Sequence, residues 1–109
     1  QANVHQEKAR LGLLKEKLRE LELRIKLDVE AAVYNLRSTG KRISATEKAL
    51  EQANESLRIE LEKYDLGKGS ITDIFDAESA LLDIQTIYYS ALADYHIYST
   101  QLKFVQGRL

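Results

Sequence analysis

The sequence has no cysteine, proline, methionine or tryptophan, only five glycines, and no surplus of either charge. Without cysteine there is no disulfide framework and no thiolate metal site, and the redox compartment leaves no mark on the chain. Without proline and with so little glycine, breaks between elements must be few. Sixteen Lys and Arg stand against seventeen Asp and Glu, for a formal net charge of −1 and a pI near 6.2. Such a balance offers no field to gather a polyanion, so no nucleic-acid partner is expected. No apolar run approaches the ~20 residues of a membrane-spanning helix, and the N-terminus carries no signal-peptide pattern. His5 and His96 fall outside any metal-ligand spacing. The segment Gly67-Lys68-Gly69-Ser70 lacks the order and the preceding strand of a phosphate loop, so no catalytic group, metal or cofactor is expected. At 109 residues the chain is one domain at most. It starts at Gln1 and contains no methionine, as expected of a piece of a longer protein.

What is present is a long apolar stripe of helical period. It runs Leu11, Leu14, Leu18, Leu21, Ile25, Val29, Ala32, Leu36, Gly40, Ile43, position 47, Leu50, Ala53, Leu57, Leu61, Tyr64. The spacing averages about 3.5 residues per turn, a heptad repeat with two stutters. Its phase is not reset at Ser38-Thr39-Gly40, where a loop would normally reset it. Residues 3–66 therefore read as one helix, about 95 Å long at the helical rise. Gly67 can close that helix in the left-handed conformation, and Ser70 with Asp73 resembles a capping box opening the next. A second helix over 71–107 carries a strict heptad: Ile74, Ala77, Leu81, Ile84, Tyr88, Ala91, Tyr95, Tyr98, Leu102, Val105, continuing to Leu109. With a connection confined to 67–70, the two helices must lie antiparallel and adjacent, an all-α coiled-coil hairpin.

Pairing across the turn places Tyr98 opposite Gly40, Tyr88 opposite Ala49 and Leu102 opposite Leu36, so that large side chains mostly meet small ones. Gly40 then reads as a slot for Tyr98. In the same register Leu109 falls opposite position 28, which leaves the seam from Leu11 to Ile25 uncovered and implies self-association or a further helix. Phe75, Leu82 and Tyr89 add a second apolar row at seven-residue spacing, with Ala80 and Ile87 on the other flank. Such widened faces suit a helix with neighbours on both sides.

Charge is uneven only near the turn. From Glu62 to Asp83 there are six acids (Glu62, Asp65, Asp73, Asp76, Glu78, Asp83) against Lys63 and Lys68. Acids in the first turns of a helix complement its dipole, and that suffices for Asp73 and Asp76. Being three apart they also share a face, so copies set in a ring would present acidic rings that favour cations in a pore. Tyr88, Tyr89, Tyr95 and Tyr98 read as packing, because Lys103 and Arg108 are the only cations after Lys68.

The turn and its flanks, Tyr64-Asp65-Leu66-Gly67-Lys68-Gly69-Ser70-Ile71-Thr72-Asp73-Ile74-Phe75-Asp76-Ala77, resemble the TolC-type outer-membrane efflux family, whose hairpin tips read like Y-x-x-G-x-x-S-x-x-D-[VIL]-[LF]-x-A. The likeness covers most of the chain, strongest from Val29 onward, and points to the second of that family's two internal repeats. It implies a hairpin of a trimeric channel protein whose hairpins close a periplasmic α-barrel beneath an outer-membrane β-barrel. In that barrel each long helix packs on two shorter helices stacked end to end. It implies an adaptor-docking tip at Leu66, Gly67, Gly69 and Ser70, and an entrance gate of Asp73, Asp76 and Tyr64. The partners implied are a periplasmic adaptor and, through it, an inner-membrane transporter. Gly69 departs from the pattern, standing where the best-known member has an arginine that helps lock the closed state. Two rival readings remain open on sequence alone: a soluble three-helix interaction module broken at Gly40 and near Gly67, and a helical arm that binds RNA.

Overall fold

A computed structural model describes residues 2–107, with side chains from Asn3 onward. Leu109 and Arg108, invoked above for register and charge, lie outside the described residues. Two helices account for nearly all of it: α1, Ala2–Asp65, and α2, Ile71–Gln106. They run antiparallel as one hairpin with extents of 98 × 18 × 14 Å. α1 passes through Gly40 without interruption. The three-helix reading therefore fails: glycine costs a helix interior only ~1 kcal/mol, and packing along an unbroken heptad outweighs it.

The seam is more regular than the apolar residues alone suggest. On α1 the inner line of buried and half-buried positions steps through Ile25, Val29, Ala32, Leu36, Thr39, Ile43, Thr46, Leu50, Ala53 and Leu57, with Asp28, Val33, Asn35, Gly40, Ala49 and Glu60 half-buried at its margins. The steps alternate strictly between four and three. Thr39 and Thr46, 4% and 7% exposed, hold the inner positions assigned above to Gly40 and position 47. The stutter expected in that stretch disappears. Burying two hydroxyls is tolerable because each donates to a carbonyl of its own helix, Thr39 Oγ1 to Asn35 O at 2.7 Å and Thr46 Oγ1 to Arg42 O at 2.6 Å. On α2 the expected heptad is the inner face, with Ile74, Ala91 and Val105 buried and Ala77, Leu81, Ile84, Tyr88, Tyr98 and Leu102 half-buried. Only Tyr95, at 41% exposed, stands out of it.

The cross-helix register also needs correction. Arg42 Nη2 meets Asp94 Oδ2 at 2.6 Å, and the Tyr88 hydroxyl donates to Glu47 Oε1 at 3.4 Å. A Cβ at Gly40 would touch Tyr95 Cε2 at 3.8 Å and no other residue's side chain within 4 Å. Gly40 thus faces Tyr95, not Tyr98, and the contact is ordinary van der Waals distance, so it is not an obligatory slot. Tyr98 sits half-buried further along the same seam.

α2 runs out where Phe104 and Val105 border Asp28, Ala31 and Ala32. Beyond that point α1 continues alone, and Leu11, Leu14, Leu18 and Leu21 are each 45–57% exposed. The uncovered seam expected from sequence is present. Among the described residues no helix is long and apolar enough to cross a membrane.

Candidate functional site

The reversal between the helices is held by main-chain bonds. Lys68 N–H donates to Lys63 O at 2.8 Å and Gly67 N–H to Tyr64 O at 3.0 Å, with Gly67 at φ +72°. This is the Schellman closure of a helix, in which the left-handed residue is glycine because a Cβ is strained there. Leu66 N–H reaches Glu62 O and Gly69 N–H reaches Lys63 O, both at 3.1 Å. The amides of residues 66–69 all point back into the turn. α2 then opens on Ser70, in extended conformation, whose Oγ accepts from Asp73 N–H at 3.2 Å. Of the expected capping box only this half forms; the Asp73 carboxylate does not return a bond to Ser70.

Gly69 is tightly placed for a different reason. A Cβ there would lie 3.0 Å from Lys63 Cβ, 3.1 Å from Tyr64 N and 3.3 Å from Lys63 C. The turn folds tightly onto the end of α1, and a side chain at this position, the departure noted above, would have to push Lys63 and Tyr64 back by a few tenths of an ångström.

The other residues singled out from sequence are on the surface. Asp73 and Asp76 are exposed one turn apart on α2, Leu66 is 65% exposed at the crown, and Tyr64 is 48% exposed at the end of α1. The fold gathers Leu66, Gly67, Gly69 and Ser70 into one crown and sets Asp73 and Asp76 just beyond it. Tyr64 is on the other helix and makes no hydrogen bond to either aspartate.

Looking along α2, two outer flanks differ in chemistry. Phe75, Leu82 and Tyr89 form an exposed apolar row, while Asp76 and Asp83 stand a heptad apart on another edge of the helix. On α1 near the turn, Arg58 is forked between Glu55, at 2.6 Å and 3.0 Å, and Glu62 at 3.0 Å. The hydrogen bond from Arg58 holds the Glu55 carboxyl below its ordinary range, and Glu55 in turn raises Arg58. Higher up, burial and then the neighbouring Glu47 carboxylate push the Tyr88 phenol upward.

Sequence reasoning missed Thr39, Thr46 and the Arg42–Asp94 pair. The signal for the threonines was the heptad phase itself, which had to be trusted over side-chain polarity. For the ion pair it was opposite sign at facing edge positions.

A profile of the outer membrane efflux protein family matches residues 1–108. The chain belongs to that family. No curated protein and no solved structure matches it. Members of the efflux family act in transport at the outer membrane, and this hairpin is all-helical with no strand among its described residues.

Proposed function

We propose that this hairpin is one stave of the periplasmic wall of a trimeric outer-membrane efflux or secretion duct, part of a larger channel protein and without catalytic role. The crown formed by Leu66, Gly67, Gly69 and Ser70 docks a periplasmic adaptor, which links the duct to an inner-membrane transporter that supplies the energy. Asp73, Asp76 and Tyr64 line the entrance. The observation that carries this reading is a single uninterrupted rod, in a chain of the efflux family, reversing once at a glycine clasp and exposing two unpaired aspartates one turn past it.

Carboxylates ringed around a narrow entrance concentrate cations. In the full channel carrying this hairpin, Asp73→Asn with Asp76→Asn is expected to lower cation preference in planar-bilayer recordings. Unaltered selectivity would remove the entrance assignment. A cysteine at Ser70 is expected to cross-link to the adaptor in cells, and failure to do so in a correctly inserted channel would remove the docking assignment. The lock of the closed state cannot rely on a side chain at position 69.

A further inference from the structure

The ion pair across the seam, Arg42 Nη2 to Asp94 Oδ2 at 2.6 Å, has no part in the channel reading, and with both side chains roughly half exposed it adds little to stability. Its place on the hairpin is specific. Asp94 lies three heptads beyond Asp73 on α2, so the two hold the same position around the helix, on the edge that also carries Asp76 and Asp83. Arg42 belongs to the matching edge of α1, where the residues at seven-residue spacing are Asn35, Arg42, Ala49, Ser56 and Lys63. The pair borders an open hollow of about 360 Å³ that Thr86, Ile87 and Ser90 also line. The opposite edge of the hairpin carries the Tyr88–Glu47 bond and the apolar row Phe75, Leu82 and Tyr89.

Along the first edge, cations and acids are treated differently. Arg42 is met by Asp94, and Lys63 by Glu60 at 3.6 Å, so both cations of that line on α1 are cancelled. Asp76 and Asp83 have no ion-pair partner among the described residues. A guanidinium left alone on this edge would add a positive field that repels the cations drawn in by the aspartates. Over three heptads the helical rise sets the pair roughly 30 Å from Asp73, about three Debye lengths at 0.1 M salt. The aspartates beside the turn are too far away to cancel Arg42. An acid in contact with it can.

From this pattern we infer that Asp94 is a selectivity residue of the duct, an assignment that rests on the reading of Asp73 and Asp76 at the entrance, which turns this edge of the hairpin toward the lumen. Asp94 neutralises Arg42 on the inner wall, so that the cation preference set at the entrance is not opposed further in.

The measurement is the potassium-to-chloride permeability ratio of the full channel carrying this hairpin, from reversal potentials in planar bilayers under a KCl gradient. Asp94→Asn, which leaves Arg42 uncovered, is expected to lower the ratio about twofold or more at low salt, with the effect fading as salt rises. Arg42→Gln, which leaves Asp94 uncovered, is expected to raise it. The double variant Arg42→Gln with Asp94→Asn, and the exchanged pair Arg42→Asp with Asp94→Arg, are both expected to return the ratio to its starting value. A pair that only held the helices together would shift both single variants in the same direction and would not be rescued in the double variant. Unchanged ratios in both single variants, or shifts of the same sign, would therefore overturn the inference. If that occurs while Asp73→Asn with Asp76→Asn still lowers cation preference, the entrance reading stands and only the role of Asp94 falls; if the entrance variant is silent as well, both fall.

Discussion

Glycine at two positions of this hairpin should respond to the same substitution in opposite directions, and the difference follows from what a single methyl group would touch. At Gly40 an added Cβ meets Tyr95 Cε2 at 3.8 Å, ordinary contact with a ring that is itself 41% exposed and free to adjust. Nothing opposes the gain in helix propensity, which is about 0.8–1.0 kcal/mol for Ala over Gly in a helix interior. Partial burial of the methyl adds a few tenths at the usual area coefficient. Gly40→Ala should therefore stabilise the hairpin by about 1 kcal/mol, a rise in Tm of about 4–8 °C for a domain of this size. At Gly69 the same methyl would sit 3.0 Å from Lys63 Cβ and 3.1 Å from Tyr64 N, with main chain on the wrong side of contact. Overpacking of that kind typically costs about 1–3 kcal/mol, so Gly69→Ala should lower Tm. Thermal unfolding followed at 222 nm on both variants, with urea midpoints as a second measure, checks the pair. A fall in Tm for Gly40→Ala would mean that Gly40 is a slot after all and that the pairing of Gly40 with Tyr95 is wrong.

Four further outcomes follow. Thr39→Val and Thr46→Val should leave stability equal or slightly higher, because each hydroxyl only adds a bond to a carbonyl of its own helix and Val keeps the shape; a loss above about 1 kcal/mol in urea unfolding would show that the hydroxyls hold the seam. Arg42→Ala and Asp94→Ala in a double-mutant cycle should give a coupling below about 1 kcal/mol, since both side chains are roughly half exposed; a larger value would make the pair a determinant of register. One tyrosine, Tyr88, should titrate above the ordinary phenol range when absorbance is followed to alkaline pH, and Glu47→Gln should bring it down. Because the folded chain holds that proton more tightly, the linked stability is present below the ordinary tyrosine pKa and is lost as pH rises through the elevated value. The Glu55 carboxyl is lowered by Arg58, so its contribution is present above the ordinary carboxylate pKa and fades as pH falls through the depressed one; Glu55→Gln should flatten the acid limb of the helicity profile, and an unchanged limb would dismiss the contribution.

Most of the architecture is legible in the residues. The period of the leucines, the uninterrupted phase across Gly40 and the Gly67 to Ser70 punctuation together specify two helices and one reversal. The overhang follows from counting residues on either side of the turn. What escapes is finer. Thr39 and Thr46 are easily passed over because a polar side chain on a seam reads as a defect, although an i−4 carbonyl can satisfy it in place. The facing partner of Gly40 is misassigned from sequence because register depends on how far the turn itself advances the chain, and that is set by the tight main-chain closure around Gly69. Of the candidate site, the crown and its aspartates can be named from their spacing. The tight fit at position 69 cannot, since it arises from Lys63 and Tyr64, several residues away and on the preceding helix.

The inward-turned amides at the crown have a counterpart. With the N–H groups of residues 66–69 all engaged, the end of the rod shows its surroundings the carbonyl oxygens of Leu66, Gly67, Lys68 and Gly69, none of which accepts a bond among the described residues. The apex therefore offers a partner main-chain acceptors beside the Lys68 ammonium and the first N–H groups of α2, Ile71 and Thr72. A substitution at Lys68 would change the charge the apex presents, whereas the acceptors follow the path of the bend.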